Sequence, residues 1–337
     1  LAVLLFVLVS ASCGSVGPED PDDGPSVPPP GPHWSVPPIP LEKVARITPL
    51  GHNNEVLPVD HTYWETCDRF WLMPSSRPCL HERIPIRAPG DGVVSAVAHH
   101  ADGFISIEGP PGLVATFGHV TPATGLGRGH TVRAGDTVAT MFYTHGFDFG
   151  VFNLGIVPHR FVNQARIHTA YAYAQSPIAQ YPEPLRAEMI SRVQTLADPL
   201  GRLSYDQAGT AAGAWFLRGT PVERSLEVTF EPNHLFLGRL QERDASRILV
   251  VGTVWPGQPN RLIVIDQSAP SWEAITPASG IVALKAWGLD RDGTPRLSVP
   301  QGTALVEVLS GERIRVEWFD THESVTTFTA AARLYER

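Results

Sequence analysis

Nine of the 13 histidines in this 337-residue chain fall between His52 and His159, in about a third of its length. Imidazoles gathered this way, with aspartates among them, suit a divalent metal centre. About three protein ligands hold such an ion, and an open position activates a water for hydrolysis. Three places stand out by their surroundings. His119 ends the apolar run LVATFGHV, Asp60 and His61 follow Pro58, and Asp148 sits between two phenylalanines in GFDFGV. Each has a plain reading beside the chemical one: a half-buried structural histidine at 119, and a turn cap at Asp60. Asp148 is costly if buried alone, so it either faces a polar cleft or binds a cation. His99, His100 and His130 lie beside Gly and Asp and read as solvated turn residues. His145 enters a site only if its strand slips by one residue, which would turn Phe147 and Phe149 into the cleft.

These residues need a scaffold, and the apolar pattern predicts one that is mainly β. From Val44 to about Val157 short runs (VVSAVA, FISIEG, LVATFGHV, TVATMF, FDFGVFNLGI) are separated by Gly, Pro and Asp. Between 159 and 200, LRAEMISRVQTLAD repeats apolar residues at helical spacing, which predicts one or two helices in a short connector. After Gly219 strand-like runs return, among them RILVVGTVW, RLIVIDQ, GIVALKAW and RIRVEWFD, and they predict a second, smaller β sandwich or barrel. The expected domains are 1–13 leader, 14–40 spacer, 41–157 first β domain, 158–218 helical connector and 219–337 C-terminal β domain. No internal repeat of 20 to 50 residues is visible, which argues against solenoids and propellers.

Within the first β domain, RAPGDGVV and VRAGDTV are two strand–turn–strand units, and ATFGHV lies between them. Preceded by GHNNEVLPVDH, this order resembles the lysostaphin-type (LytM-type) zinc endopeptidases of bacterial cell walls, over roughly residues 45 to 155. The resemblance implies a duplicated-hybrid-motif β sandwich, with His52, Asp60 and Asp148 as ligands of zinc or another divalent metal. His119 is then the catalytic base or oxyanion donor. The family's closing HxH strand reads Gly146-Phe147-Asp148-Phe149-Gly150-Val151 here. Side chains alternate along a strand, so the auxiliary histidine becomes Gly146 and the ligand histidine becomes Asp148. The interval from His52 to Asp60 is longer than the family's, which makes His61 the alternative to His52. A second carboxylate weakens the ion as a Lewis acid, and losing an oxyanion donor costs roughly 3 kcal/mol in comparable sites.

The amino-terminal run LAVLLFVLV, followed by small residues and Cys13, reads as a signal peptide ending in a lipoprotein-like box. Residues 18–40 hold ten prolines and read as an extended spacer. Cys67 and Cys79 are expected to form a loop disulfide in an oxidising compartment. Twenty-six basic against 34 acidic residues give a net charge of −8, with no basic patch for nucleic acid. Lys43 and Lys285 are the only lysines, so a lipoyl or biotinyl carrier, which needs a lysine at its hairpin, is excluded. The expectation is a protein secreted to the bacterial cell envelope, touching the membrane only through a lipid on Cys13. It is expected to bind peptidoglycan peptides or regulate an envelope protein without catalysis. The alternative is an active metal-dependent endopeptidase that hydrolyses peptidoglycan peptide bonds.

Overall fold

The computed structural model describes residues 33–52, 56–67, 82–109, 112–156, 158–193, 198–225, 233–240, 247–252, 261–266, 268–289, 295–321 and 323–337. The leader, Cys13, Cys79 and most of the spacer lie outside these residues. Cys67 is disulfide-bonded. No helix among the described residues is long and apolar enough to cross a membrane.

The chain is mainly β. A first sheet contains β1 (Arg46–Ile47), β2 (His61–Glu65), β3 (Pro85–Arg87), β4 (Gly92–Ala98), β5 (Gly103–Gly109), β6 (Leu113–Pro122), β7 (Thr131–Val132), β8 (Thr137–Met141), β9 (Gly146–Asn153) and β10 (Ala174–Gln175). Its main path runs β1-β2-β9-β6-β5-β4-β7, with β10 on β9 and β8 joining β3 to β6. Alternation places Ile105, Ile107, Ala115, Phe117, Phe147, Phe149 and Val151 in one core. There Phe149 stacks between Phe117, with ring centroids 4.7 Å apart, and Trp34, at 5.4 Å. Trp34 and Ile39 come from the end of the stretch expected as spacer. Residues 33–40 lie against the sheet because these two apolar side chains anchor them, and Ser35 and Val36 donate to the Pro89 carbonyl.

The connector holds two short helices, α1 (Thr169–Tyr173) and α2 (Leu185–Ile190). Helical spacing predicts a longer second helix. It stops at Ile190 because the chain turns to meet β1: Ile47 donates to the Arg192 carbonyl at 3.0 Å and bridges in parallel to Val193.

The second β unit is a closed barrel of eight consecutive antiparallel strands: β11 (Gly213–Leu217), β12 (His234–Arg239), β13 (Arg247–Val251), β14 (Arg261–Ile265), β15 (Val282–Leu289), β16 (Pro295–Ser310), β17 (Arg313–Phe319) and β18 (Arg333–Glu336). Closure comes from Phe216 and Leu217 of β11 pairing with Glu336 and Tyr335 of β18. Leu235, Leu237, Leu249 and Ile263 join one interior cluster with Trp215. Phe236, Ile248, Val250 and Val264, the alternate positions, pack with Val56 and Tyr205 in a separate cluster. This explains the unbroken apolar runs in β13 and β14: both of their faces are covered.

Candidate functional site

The site lies where β2, β6 and β9 run side by side. Tyr63 and Gly118 are the cross-strand partners of Asp148, and His61 faces Gly150. Phe147 and Phe149 point into the core, so strand alternation turns Asp148 the other way, and the one-residue slip that would bring in His145 does not occur. Gly118 makes room for this carboxylate. A Cβ there would stand 3.0 Å from Asp148 Oδ2 and 3.2 Å from its Cβ.

His119 reaches the same point through a β-bulge. Gly103 pairs with Val120 and Phe104 with Gly118, which leaves His119 as the extra residue. Its φ of 56° is the only positive value at a non-glycine residue among those described. Bulges re-aim side chains, and histidine is among the types that tolerate this backbone region.

Five side chains then alternate between carboxylate and imidazole. His61 Nδ1 is 2.9 Å from Asp60 Oδ1, and His61 Nε2 is 3.6 Å from Asp148 Oδ2. His119 Nε2 is 3.4 Å from the same Asp148 Oδ2, and His119 Nδ1 is 2.8 Å from Asp102 Oδ1. Tyr143 donates to the other Asp102 oxygen at 3.2 Å and stacks on His145 with centroids 5.0 Å apart. The Asp148 side chain is 17% exposed and His119 43%. Burial raises the Asp148 carboxyl above its usual range, the imidazoles of His61 and His119 pull it down, and Asp60 and Asp102 push it up again. The Asp102 carboxylate raises the Tyr143 phenol, and burial followed by the charge of His119 lowers His145.

Of the residues singled out by sequence, Asp60, Asp148 and His119 meet here, joined by His61. His52 lies deeper, 2% exposed, with its Nδ1 3.3 Å from Thr48 Oγ1 and 3.2 Å from the Pro49 carbonyl. Its ring centroid is 6.2 Å from that of His61. Burial, then the neighbouring His61, hold the His52 imidazole well below its usual range. Asp60 spends its contact on His61 Nδ1.

Sequence reasoning missed Asp102. A signal for it exists: in the β5–β6 hairpin Glu108 pairs with Val114 and Gly109 with Leu113. Counting outward at that register sets Asp102 opposite Val120, next to His119.

Two polar atoms of this region, Asp148 Oδ1 and His52 Nε2, are buried with no hydrogen-bond partner. As placed, the donors stand as two Asp148–imidazole pairs. Among the described residues no group of three or more His, Cys, Asp or Glu side chains could hold a metal ion.

No protein-family model matches the chain, and no curated protein matches it. Among solved structures it is similar over part of its length to Csd3 of Helicobacter pylori in two crystal forms. Identity is 16% in both, with TM-scores of 0.28 and 0.27, over 37% and 36% of this chain. The match spans about a third of Csd3: 33% and 30% of that chain in the two forms. A chain of the SpoIIQ–SpoIIIAH pore-forming complex is matched at 10% identity and a TM-score of 0.31, over 46% of this chain and 95% of that one.

Proposed function

We propose that this is a cell-envelope protein with a LytM-like cleft that binds peptidoglycan peptides, or an envelope protein acting on them, without hydrolysing them. One observation carries the reading. The family's auxiliary histidine falls at Gly146, and a Cβ there would meet the Trp64 carbonyl oxygen at 2.7 Å and the Glu65 Cα at 3.3 Å. No side chain fits at the place from which a second donor would steady an oxyanion, so the transition state of peptide hydrolysis loses that support. What remains suits binding. The Asp148 side chain is 17% exposed between the two imidazoles, His119 is 43% exposed beside it, and Tyr143 and His145 stack as an aromatic edge. A peptide laid across the cleft meets acceptors, donors and a ring face together. In this reading the protein is anchored through a lipid on Cys13, as its amino-terminal sequence suggests.

The second reading, an active metal-dependent endopeptidase, is favoured by the way Asp60, Asp148 and His119 gather. Co-sedimentation with insoluble peptidoglycan and chromatography of released muropeptides separate the two. The proposal expects retention with no new fragments. Fragments released by the wild type and absent with Asp148→Ala would replace it with the peptidase.

A further inference from the structure

We infer that the protein has a second binding site, separate from the cleft, for a short zwitterionic peptide: Arg128 holds its free carboxylate, Glu108 its free amine, and Val93 supports a small apolar side chain.

The site is a cavity of about 620 Å³ at the β4–β5–β7 end of the first sheet, lined by Asp91, Val93, Glu108, Arg128 and Thr131 among others. That volume lies within the roughly 300–1,000 Å³ usual for small-ligand sites. Strand alternation decides which side chains line it. Val94 and Ile107 are buried in the core, so Val93 and Glu108 turn outward. Glu108 and Thr131 are the cross-strand partners of Val93 on its two sides. Strand spacing sets these two flanks about 10 Å apart. An extended dipeptide, about 7 Å long, spans that interval with a hydrogen bond at each end.

Three observations point to a ligand. The first is unspent charge: among the described residues, the side chains of Arg128 and Glu108 make no hydrogen bond or ion pair. Asp91, the third charged group, is occupied, accepting from Ala134 N at 2.8 Å. The second is that Arg128 is held in place before any ligand arrives, which lowers the ordering cost of binding. Its turn is stitched to β4 by Gly129 N donating to the Val94 carbonyl and Val94 N donating to the His130 carbonyl, both at 2.8 Å. Gly127 N also donates to His130 Nδ1 at 2.8 Å. The third is Val93, an apolar side chain left 42% exposed between the two charges. A simple anion would meet Glu108 as well as Arg128, and a simple cation the reverse, whereas a zwitterion is complementary to both.

This pocket is not the cleft. Glu108 pairs with Val114, which pairs with Phe152, four residues along β9 from Asp148. Residue and strand spacing put the two places about 16 Å apart.

The test follows backbone amide NMR shifts of the intact chain during titration with alanyl-alanine, its N-acetyl derivative and its C-terminal amide. The expected shifts centre on Val93 and Thr131, and the uncapped dipeptide binds about 5- to 10-fold more tightly than either capped form. Arg128→Gln lowers its affinity to that of the amide, and Glu108→Gln lowers it to that of the N-acetyl form. Both positions are exposed, and circular dichroism checks that the variants are folded. Equal binding of the three peptides, no shift at millimolar dipeptide, or shifts centred on Tyr143 and His145 would each overturn the inference. Sedimentation with peptidoglycan reports on the proposed function alone.

Discussion

Strand β9 of the sheet and strand β12 of the barrel are both largely buried, yet β9 carries a carboxylate at its centre and β12 reads His-Leu-Phe-Leu-Gly-Arg. The difference lies in their neighbours. Around Asp148 the flanking strands supply Gly118, Tyr63 and the two imidazoles, so the face away from the core is polar. Around β12, ring closure fills one side with Trp215, Leu249 and Ile263, and Val56 and Tyr205 pack with the other. A closed ring has an interior that must be packed, whereas an open sheet can leave one face for chemistry.

This contrast is sharpest in how each half is held. In the sheet, Arg46 donates to both carboxylate oxygens of Glu65 at 2.5 and 2.6 Å, a buried pair between β1 and β2. Glu65→Ala removes the acceptor and is expected to cost about 3–5 kcal/mol, while replacing both partners with apolar residues costs less. In the barrel the matching change is Trp215→Ala, which empties the site of a fully buried ring under the Arg337 guanidinium, also at about 3–5 kcal/mol. Urea denaturation measures both. If the apolar double variant in the sheet were no better than Glu65→Ala alone, the sheet would need its ion pair for more than charge balance.

The next effect belongs to the barrel and depends on pH. Burial lowers His234 to about 4. The folded state therefore holds this imidazole neutral while the unfolded chain protonates it below about 6.5. Stability is unaffected above that pH, declines as pH falls toward 4, and changes no further below. At roughly 1.4 kcal/mol per pH unit the decline is about 3 kcal/mol. His234→Leu should remove that part of the acid sensitivity in thermal melts from pH 7 to 4; an unchanged slope would place it elsewhere.

A smaller effect tests the open face. Gly118→Ala sets a methyl against Asp148 and should cost about 1–3 kcal/mol through crowding. The same melts check it, and a neutral result would mean that Asp148 has room to turn aside. Least of all, Glu188→Ala on α2 breaks an exposed i,i+4 contact with Arg192 of 3.2 Å and should change stability by only ~0.3 kcal/mol.

Parts of this architecture are legible in the sequence for a local reason. The runs FISIEG and LVATFGHV show their strand period within a few residues, and the alternation in GFDFGV fixes which way Asp148 points. Closure of the second β unit is not local. Sandwich and barrel share the same strand signals, and only the pairing of β11 with β18, more than a hundred residues apart, separates them. The site divides in the same way. Asp148 and His119 stand out from their own neighbours in sequence, but Asp102 becomes a partner of His119 only through the hairpin register and its bulge. That Asp60 turns its carboxylate to the adjacent His61, and that His52 sinks beneath Tyr63 and His61, depends on how the chain between them folds back, which spacing alone does not encode.

Gly146 bears on reversibility. Because the Trp64 carbonyl of β2 occupies the direction in which any side chain would grow, a histidine cannot be placed at that position by itself. Reinstating it would require β2 to move away from β9, and β2 also carries His61 and the Glu65 that pairs with Arg46. Placing a histidine at 146 thus requires a linked set of changes, each unfavourable alone. Any variant with a side chain at position 146 would have to redesign two strands at once.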